Sequence, residues 1–332
     1  MSQQRKTCQL SHIAMIVVKT ITDLIRRAAM VSILAVIAAP AAIAAVPCEH
    51  DAIADARVDT VTVQAAEGRT VPLEILHPAA QGKYPLVVFS HGAFASPDRY
   101  HALLKPVAAA GYIILAPRHL DSEDWEWTEK PSQAAVWASR GEDMALMLAQ
   151  NAAIISKLAE AGIEIDYDHI AAMGHSYGAL IAQIIGGARP LTPSALSGQQ
   201  SVQAVVAFSP PGITPGLIDE KGWSEMTVPN LTITGTADIL PGFINDWKIH
   251  KHSFDHAPAG KRWLWVGDGI DHYFGGMFGR EKPASEDSRT LFGRALATTI
   301  AFLDQALGKT PPCLLKPPVP GELLTRDGTA HE

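Results

Sequence analysis

Three residue types suited to acyl transfer stand far apart in the chain, each just past a short apolar run. Ser176 lies in Gly174-His175-Ser176-Tyr177-Gly178. A serine hydroxyl is a weak nucleophile until a base accepts its proton. The run Ile170-Ala-Ala-Met-Gly174 precedes this Gly-x-Ser-x-Gly pattern, and Ala179 to Ile185 reads as helix after it. The glycines allow a tight turn that presents the hydroxyl at the carboxyl edge of a sheet. The bland alternative is a serine in an ordinary strand-to-helix turn; the flanking strand and helix patterns argue against it.

The base is expected later in the chain, past the last strand. His272 sits there, in Gly269-Ile-Asp-His-Tyr-Phe-Gly-Gly276, after the apolar run Trp263 to Val266. The rival histidines His250, His252 and His256 are grouped in a polar stretch with Lys251. They match no metal-ligand spacing and read as a solvated patch. His91 and His175 each adjoin a glycine and read as structural or pocket-lining. An imidazole base needs a carboxylate to orient it. Asp238 closes Leu231-Thr-Ile-Thr-Gly-Thr-Ala-Asp238 and fits best. Asp271 is the weaker candidate, because adjacent side chains on an extended loop diverge, and Asp246 has no strand end to present it.

Negative charge developing on a substrate oxygen needs hydrogen-bond donors. The backbone N–H of Tyr177, next after the serine, is one. The loop His91-Gly92-Ala93-Phe94, after the run Tyr84 to Ser90, supplies the second. The assignment falls on Ala93, with Phe94 as the second choice.

These residues need a scaffold that brings strand ends together. Val58 to Val63 and Val71 to Leu76 flank the turn signal Glu67-Gly68 and read as an antiparallel pair. Tyr84 to Ser90, Tyr112 to Pro117, Ile170 to Gly174, Val202 to Phe208, Leu231 to Thr234 and Trp263 to Val266 read as further strands. Their nearly continuous apolar character suits a parallel sheet covered on both faces. Helical patterns fall between them, at Arg99 to Ala110 (with Pro106 forcing a kink or a late start), Ser139 to Leu158, Tyr177 to Gly186 and Ser288 to Leu307. The alternation predicts an α/β fold, a doubly wound, mostly parallel sheet in a single domain.

Composition bounds the function. The 332 residues are 47% apolar and 18% charged, so the chain can bury a core and is not globally disordered. The five basic and one acidic side chains of residues 1–44 give +4 there, so the net −7 leaves −11 on residues 45–332. That disfavours nucleic acid as a partner. The basic start, the Ala-rich run Ala28 to Val46, Pro40 and the end Ala42-Ile43-Ala44 form the layout of a cleaved secretory signal. The expected organisation is a signal at 1–44 (with Met15 as an alternative start), the domain at 45–310 and an extended Pro-rich tail at 311–332. An uncleaved anchor is the alternative, though the run is mostly alanine. Cys8 would leave with the signal. Cys48 and Cys313 would remain, either as free thiols or as a pair formed in an oxidising compartment.

The motifs Phe89-Ser-His-Gly-Ala93, Gly174-His-Ser-Tyr-Gly178, Gly235-Thr-Ala-Asp238 and Asp271-His272 resemble those of α/β-hydrolases. The likeness is strongest to dienelactone-hydrolase-like and platelet-activating-factor-acetylhydrolase-like serine esterases. It implies the α/β-hydrolase fold, Ser176 as nucleophile, His272 as base, Asp238 as acid, and hydrolysis of a small or polymeric ester. True dienelactone hydrolases carry a Cys nucleophile where this chain has Ser, which puts that substrate in doubt. Ala179 stands where many relatives have a second glycine.

The chemistry calls for no metal and no cofactor, and a periplasmic or secreted monomer without a lasting membrane anchor is expected. A peptidase or amidase using the same three residues, and a silent hydrolase fold kept for binding, are the rival readings. Phe94, Trp125, Trp127 and Phe274 are candidates for substrate contact, and the acidic loop Asp121 to Glu129 is a candidate to overhang the site and repel anions. If Cys48 and Cys313 pair, the unfolded mature protein will gain two free thiols by mass on reduction and alkylation; identical masses with and without reductant would show free thiols.

Overall fold

Leu86 and Val88 pack into one apolar cluster while Val87 and Phe89, the residues between them, pack into another. The same alternation holds at Ile113 and Leu115 against Ile114 and Ala116, and at Val205 and Ala207 against Val206 and Phe208. Both faces of these strands are therefore buried, which is why their sequences run apolar without a polar period. The computed structural model describes residues 55–125, 127–196, 201–278, 285–309, 318–327 and 329–330. The signal-like segment, Cys48 and Cys313 lie outside the described residues.

The strands are β1 (Ala56–Gln64), β2 (Thr70–Pro78), β3 (Gly82–Ser90), β4 (Ile113–Pro117), β5 (Ile163–His175), β6 (Ala204–Phe208), β7 (Asn230–Ala237), β8 (Arg262–Asp271), β9 (Glu322–Arg326) and β10 (Thr329–Ala330). They form one sheet in the order β1-β2-β4-β3-β5-β6-β7-β8-β9-β10. From β4 to β8 every neighbouring pair is parallel, while β1, β2, β9 and β10 pair antiparallel at the two edges. The helices are α1 (His101–Ala109), α2 (Gln133–Leu148), α3 (Ala152–Glu160), α4 (Tyr177–Ile185), α5 (Glu220–Ser224), α6 (His252–His256) and α7 (Glu286–Ala306). Met144, Met147, Ile154, Leu158 and Leu180 put α2, α3 and α4 on one face of the sheet. Leu103, Leu104, Val107, Ile300 and Leu303 put α1 and α7 on the other. Among the described residues no helix is long and apolar enough to cross a membrane.

Two expectations need correction. Ser139 to Leu158 is not one helix. Ala149 turns extended at φ −78°, ψ 153°. The Asn151 side chain then accepts the Ala153 N–H and starts α3 afresh. The apolar spacing continues across the break because both helices pack on the same cluster. The second concerns the C-terminal tail, which is not merely extended. Its residues 322–326 form β9, antiparallel to β8, with Trp265 opposite Leu324. The Glu322 side chain is buried there, its carboxylate accepting the Trp265 indole N–H and bonds from Nε and a terminal nitrogen of Arg294. The helix expected from Arg99 begins at His101 after a 3-10 turn at 97–100, and it does not start at Pro106, which lies inside it.

β9 covers the open edge of β8, so its removal would expose a row of unpaired backbone groups and the Leu324 contact. Deleting residues 319–332 is expected to lower the thermal midpoint by several degrees and to promote self-association, read by calorimetry and light scattering. An unchanged midpoint would return the segment to a tail.

Candidate active site

Four parallel strands deliver the candidate residues at their carboxyl ends. Ser176 follows β5, Asp238 follows β7, His272 follows β8, and His91 to Phe94 follow β3. The turn at Ser176 is tight for an atomic reason. A Cβ on Gly174 would lie 2.3 Å from the Gly178 carbonyl oxygen, and one on Gly178 would lie 2.0 Å from that of Ser90. Ser176 itself adopts φ 54°, ψ −122°, a region costing a non-glycine residue about 1–3 kcal/mol. Its N–H bond to the Phe208 carbonyl, at 2.8 Å, holds that conformation.

Ser176, His272 and Asp238 form one hydrogen-bonded chain. The Ser176 Oγ is 3.0 Å from His272 Nε2, and His272 Nδ1 is 2.7 Å from Asp238 Oδ1. The carboxylate fixes the tautomer: Nδ1–H donates to Asp238, leaving the Nε2 lone pair for the serine proton. Asp238 is fully buried. Its Oδ2 accepts from the Ser209 and Thr234 hydroxyls at 2.5 and 2.7 Å. Burial alone would raise its proton affinity; the hydrogen bonds from His250 and His272 outweigh that and hold the carboxyl well below the usual range.

Asp271 does different work. Its Oδ1 accepts the N–H groups of Tyr273 and Gly275 at 3.1 and 2.8 Å, shaping the loop that carries His272. Asp246 caps a 3-10 turn by accepting the Lys248 N–H.

The loop after β3 is set by a buried ion pair. Arg140, on α2, meets Asp121 through Nε at 3.0 Å and a terminal nitrogen at 2.9 Å. The same guanidinium donates to the carbonyls of His91 and Gly92 at 2.6 and 3.1 Å. In a trans peptide C=O and N–H point oppositely, so the Ala93 N–H is directed away from Arg140. The Phe94 N–H instead faces Asp121 Oδ2 at 3.4 Å. Among the described residues neither the Ala93 nor the Tyr177 N–H has a partner. A Cβ on Gly92 would lie 3.5 Å from the Ser176 Cβ, which puts this loop directly beside the serine.

One further chain ties loop, turn and base together. The Gly92 N–H donates to the Tyr100 hydroxyl at 3.0 Å, Tyr100 donates to His175 Nδ1 at 2.9 Å, and His175 Nε2–H reaches the His272 carbonyl at 2.8 Å. Burial and the neighbouring His272 hold His175 well below its ordinary pKa, so it stays neutral.

Several expected roles change. His250 is not on a solvated patch: it is fully buried, with Nε2 at 2.8 Å from Asp238 Oδ1. Spacing along the chain could not reveal this, because the segment after β7 folds back over Asp238. Phe274 does not face substrate; it is buried among Phe208, Phe278 and Phe292. Asp121 does not project charge over the site, since Arg140 neutralises it. Trp125 and Trp127 are half-buried, and the Trp125 indole N–H is spent on the His119 carbonyl at 2.8 Å. Phe94 stays half-exposed at 51%, beside the donors. Sequence reasoning also missed Ser209, Thr234, Arg140 and Tyr100. Thr234 stands out only as a polar residue in a largely apolar strand, and Ser209, Arg140 and Tyr100 carry no local sequence signal.

Asp238, His250 and His272 together bring metal-type donor atoms within 4.8 Å of one another. Both rings, however, address a single carboxylate oxygen, so their nitrogens do not converge on a common vacant point.

The family model for chlorophyllase matches residues 49–205. A stretch of 107 residues is 28% identical to chlorophyllase type 0 of Chenopodium album, covering 32% of this chain and 30% of that protein. The chain thus spans less than a third of that relative. Among solved structures, a protein described as a dienelactone hydrolase from Klebsiella pneumoniae superposes with a TM-score of 0.51 at 17% identity, over 73% of this chain and 97% of that one. Esterase 2 of Thermogutta terrifontis, phosphorylated by paraoxon, gives a TM-score of 0.52 at 17% identity, over 75% and 94% of the two chains.

The geometry separates the two candidate acids. Asp238→Asn is expected to lower kcat on any substrate the Ser176 chain turns over by on the order of 10^4-fold. Asp271→Asn keeps the oxygen that caps the loop and should cost far less. The reverse ranking in steady-state kinetics would overturn the assignment of Asp238.

Proposed function

The chain has the α/β-hydrolase fold, and from that premise we propose that it is an exported serine hydrolase cleaving carboxylic esters through an acyl-enzyme. The observation that carries the reading is the continuous Ser176–His272–Asp238 hydrogen-bonded chain at the carboxyl edge of the sheet. Ser176 attacks the ester carbonyl as its proton passes to His272 Nε2. Asp238 keeps the imidazole in the required tautomer and stabilises the imidazolium that forms. The unpartnered N–H groups of Ala93 and Tyr177 receive the oxyanion, and Tyr177 begins α4, where the helix N-terminus also favours negative charge. His272 then gives its proton to the departing alcohol. A water molecule, deprotonated by the same ring, releases the acid and restores the serine.

The residues around the serine suit this sequence. Arg140 fixes both carbonyls of the donor loop, so no loop rearrangement is needed as charge develops. The exposed ring of Phe94 offers apolar contact to the acyl or alcohol group. Export rests on the basic and Ala-rich layout of residues 1–44.

Short-chain nitrophenyl esters should be hydrolysed, and Ser176→Ala should abolish measurable turnover while leaving the fold intact by circular dichroism. A fluorophosphonate should label Ser176. Labelling without ester turnover would favour an amide substrate, and no labelling of folded protein would refute both enzymatic readings.

A further inference from the structure

His250 has a chemistry that the Ser176 chain does not require. It lies in the 3-10 segment Trp247–Lys251 and is fully buried. Its Nδ1 is 2.7 Å from the Pro210 carbonyl oxygen, and its Nε2 is 2.8 Å from Asp238 Oδ1 and 3.2 Å from the Asp238 carbonyl oxygen. Every one of these partners accepts hydrogen bonds and none donates. A neutral imidazole has one N–H and one lone pair. In either tautomer that lone pair would face an oxygen at hydrogen-bond distance, in a fully buried ring. Only the ring protonated on both nitrogens satisfies all the contacts.

The surrounding groups agree. Asp238, on the β7 loop, accepts from four donors: Ser209, Thr234, His250 and His272. Its carboxylate is saturated and carries the negative charge that an imidazolium needs. His272, on the loop after β8, lies with its ring centre 5.6 Å from that of His250. His175, at the end of β5, is neutral, with Nδ1 accepting from Tyr100. His252, on α6, accepts the Ile213 N–H through Nδ1 at 3.2 Å, so that nitrogen carries no proton. Burial opposes charge on His250, but the hydrogen bonds and attraction to Asp238 prevail and raise its pKa.

We propose that His250 is a permanent imidazolium clamped on Asp238, a positioning residue that holds the carboxylate facing His272. The inference rests on the assignment of Ser176, His272 and Asp238 above. The four-donor arrangement prevents Asp238 from turning away from His272 when the ring shifts during proton transfer.

Two measurements test this. The first needs no activity: 15N-histidine-labelled full-length protein, by NMR at pH 7, should show both His250 ring nitrogens protonated, assigned by the loss of their signals in His250→Gln. A single protonated nitrogen would overturn the proposal, whatever the fate of the esterase reading. The second is kcat and KM for a nitrophenyl ester. His250→Gln keeps a donor toward Asp238 but removes the charge that clamps it, so kcat should fall about tenfold or more with KM nearly unchanged. An unchanged kcat would show that His250 only fills space. Ester turnover absent from the wild-type protein would defeat the underlying assignment instead, and the NMR result would stand apart from it.

Discussion

A fully buried carboxylate must find its hydrogen bonds in the protein, and at Asp238 this requirement organises the site. Isolated burial of such a charge would cost several kcal/mol. The chain meets that cost with four donors from four places: Ser209 after β6, Thr234 within β7, His250 beyond β7 and His272 after β8. Each donor is held by its own element, so the carboxylate also fixes how those elements meet at the sheet edge. Ser209 shows the strain this entails: it takes φ 48°, and its N–H is anchored at 2.7 Å to the Ile233 carbonyl. The ring of His272 is aimed at Ser176 because its other nitrogen is committed to Asp238.

A second buried charge has the matching task on the other side of the serine. Asp121 and Arg140 neutralise each other, and Arg140 has donors left over for the His91 and Gly92 carbonyls. Lysine, with three donors on one nitrogen, could not make both bonds to the carboxylate and both to the carbonyls. The Tyr100–His175 chain then connects that loop to the backbone of His272. The loop after β3, the Ser176 turn and His272 are thus coupled through buried polar contacts in which each hydrogen has a defined direction. Such networks are specific when every member is satisfied and costly when one is lost.

Much of this could be read from the chain. The Ser176 turn is a local pattern whose glycines are demanded by contacts at 2.3 and 2.0 Å, so the motif and its geometry are nearly the same statement. The strands were visible because a sheet covered on both faces needs apolar runs, and Asp238 and His272 because they stand directly at strand ends. What escaped depends on distant chain segments meeting. His250 looks like surface polarity until the segment after β7 closes over Asp238. Phe274 lies two residues past His272, yet with its own φ at 52° it packs into the aromatic core. Residues 322–326 lie in an otherwise Pro-rich stretch, and only the open edge of β8 makes them a strand.

The central claim is that Ser176 becomes covalently acylated because His272, held by Asp238, takes its proton. The most direct measurement is peptide mass spectrometry of protein quenched in acid during steady turnover of an activated ester. The account predicts the mass of the acyl group on the peptide carrying Ser176, and none on that peptide from Ser176→Ala. Turnover with no acyl adduct, or with the adduct on another residue, would contradict it.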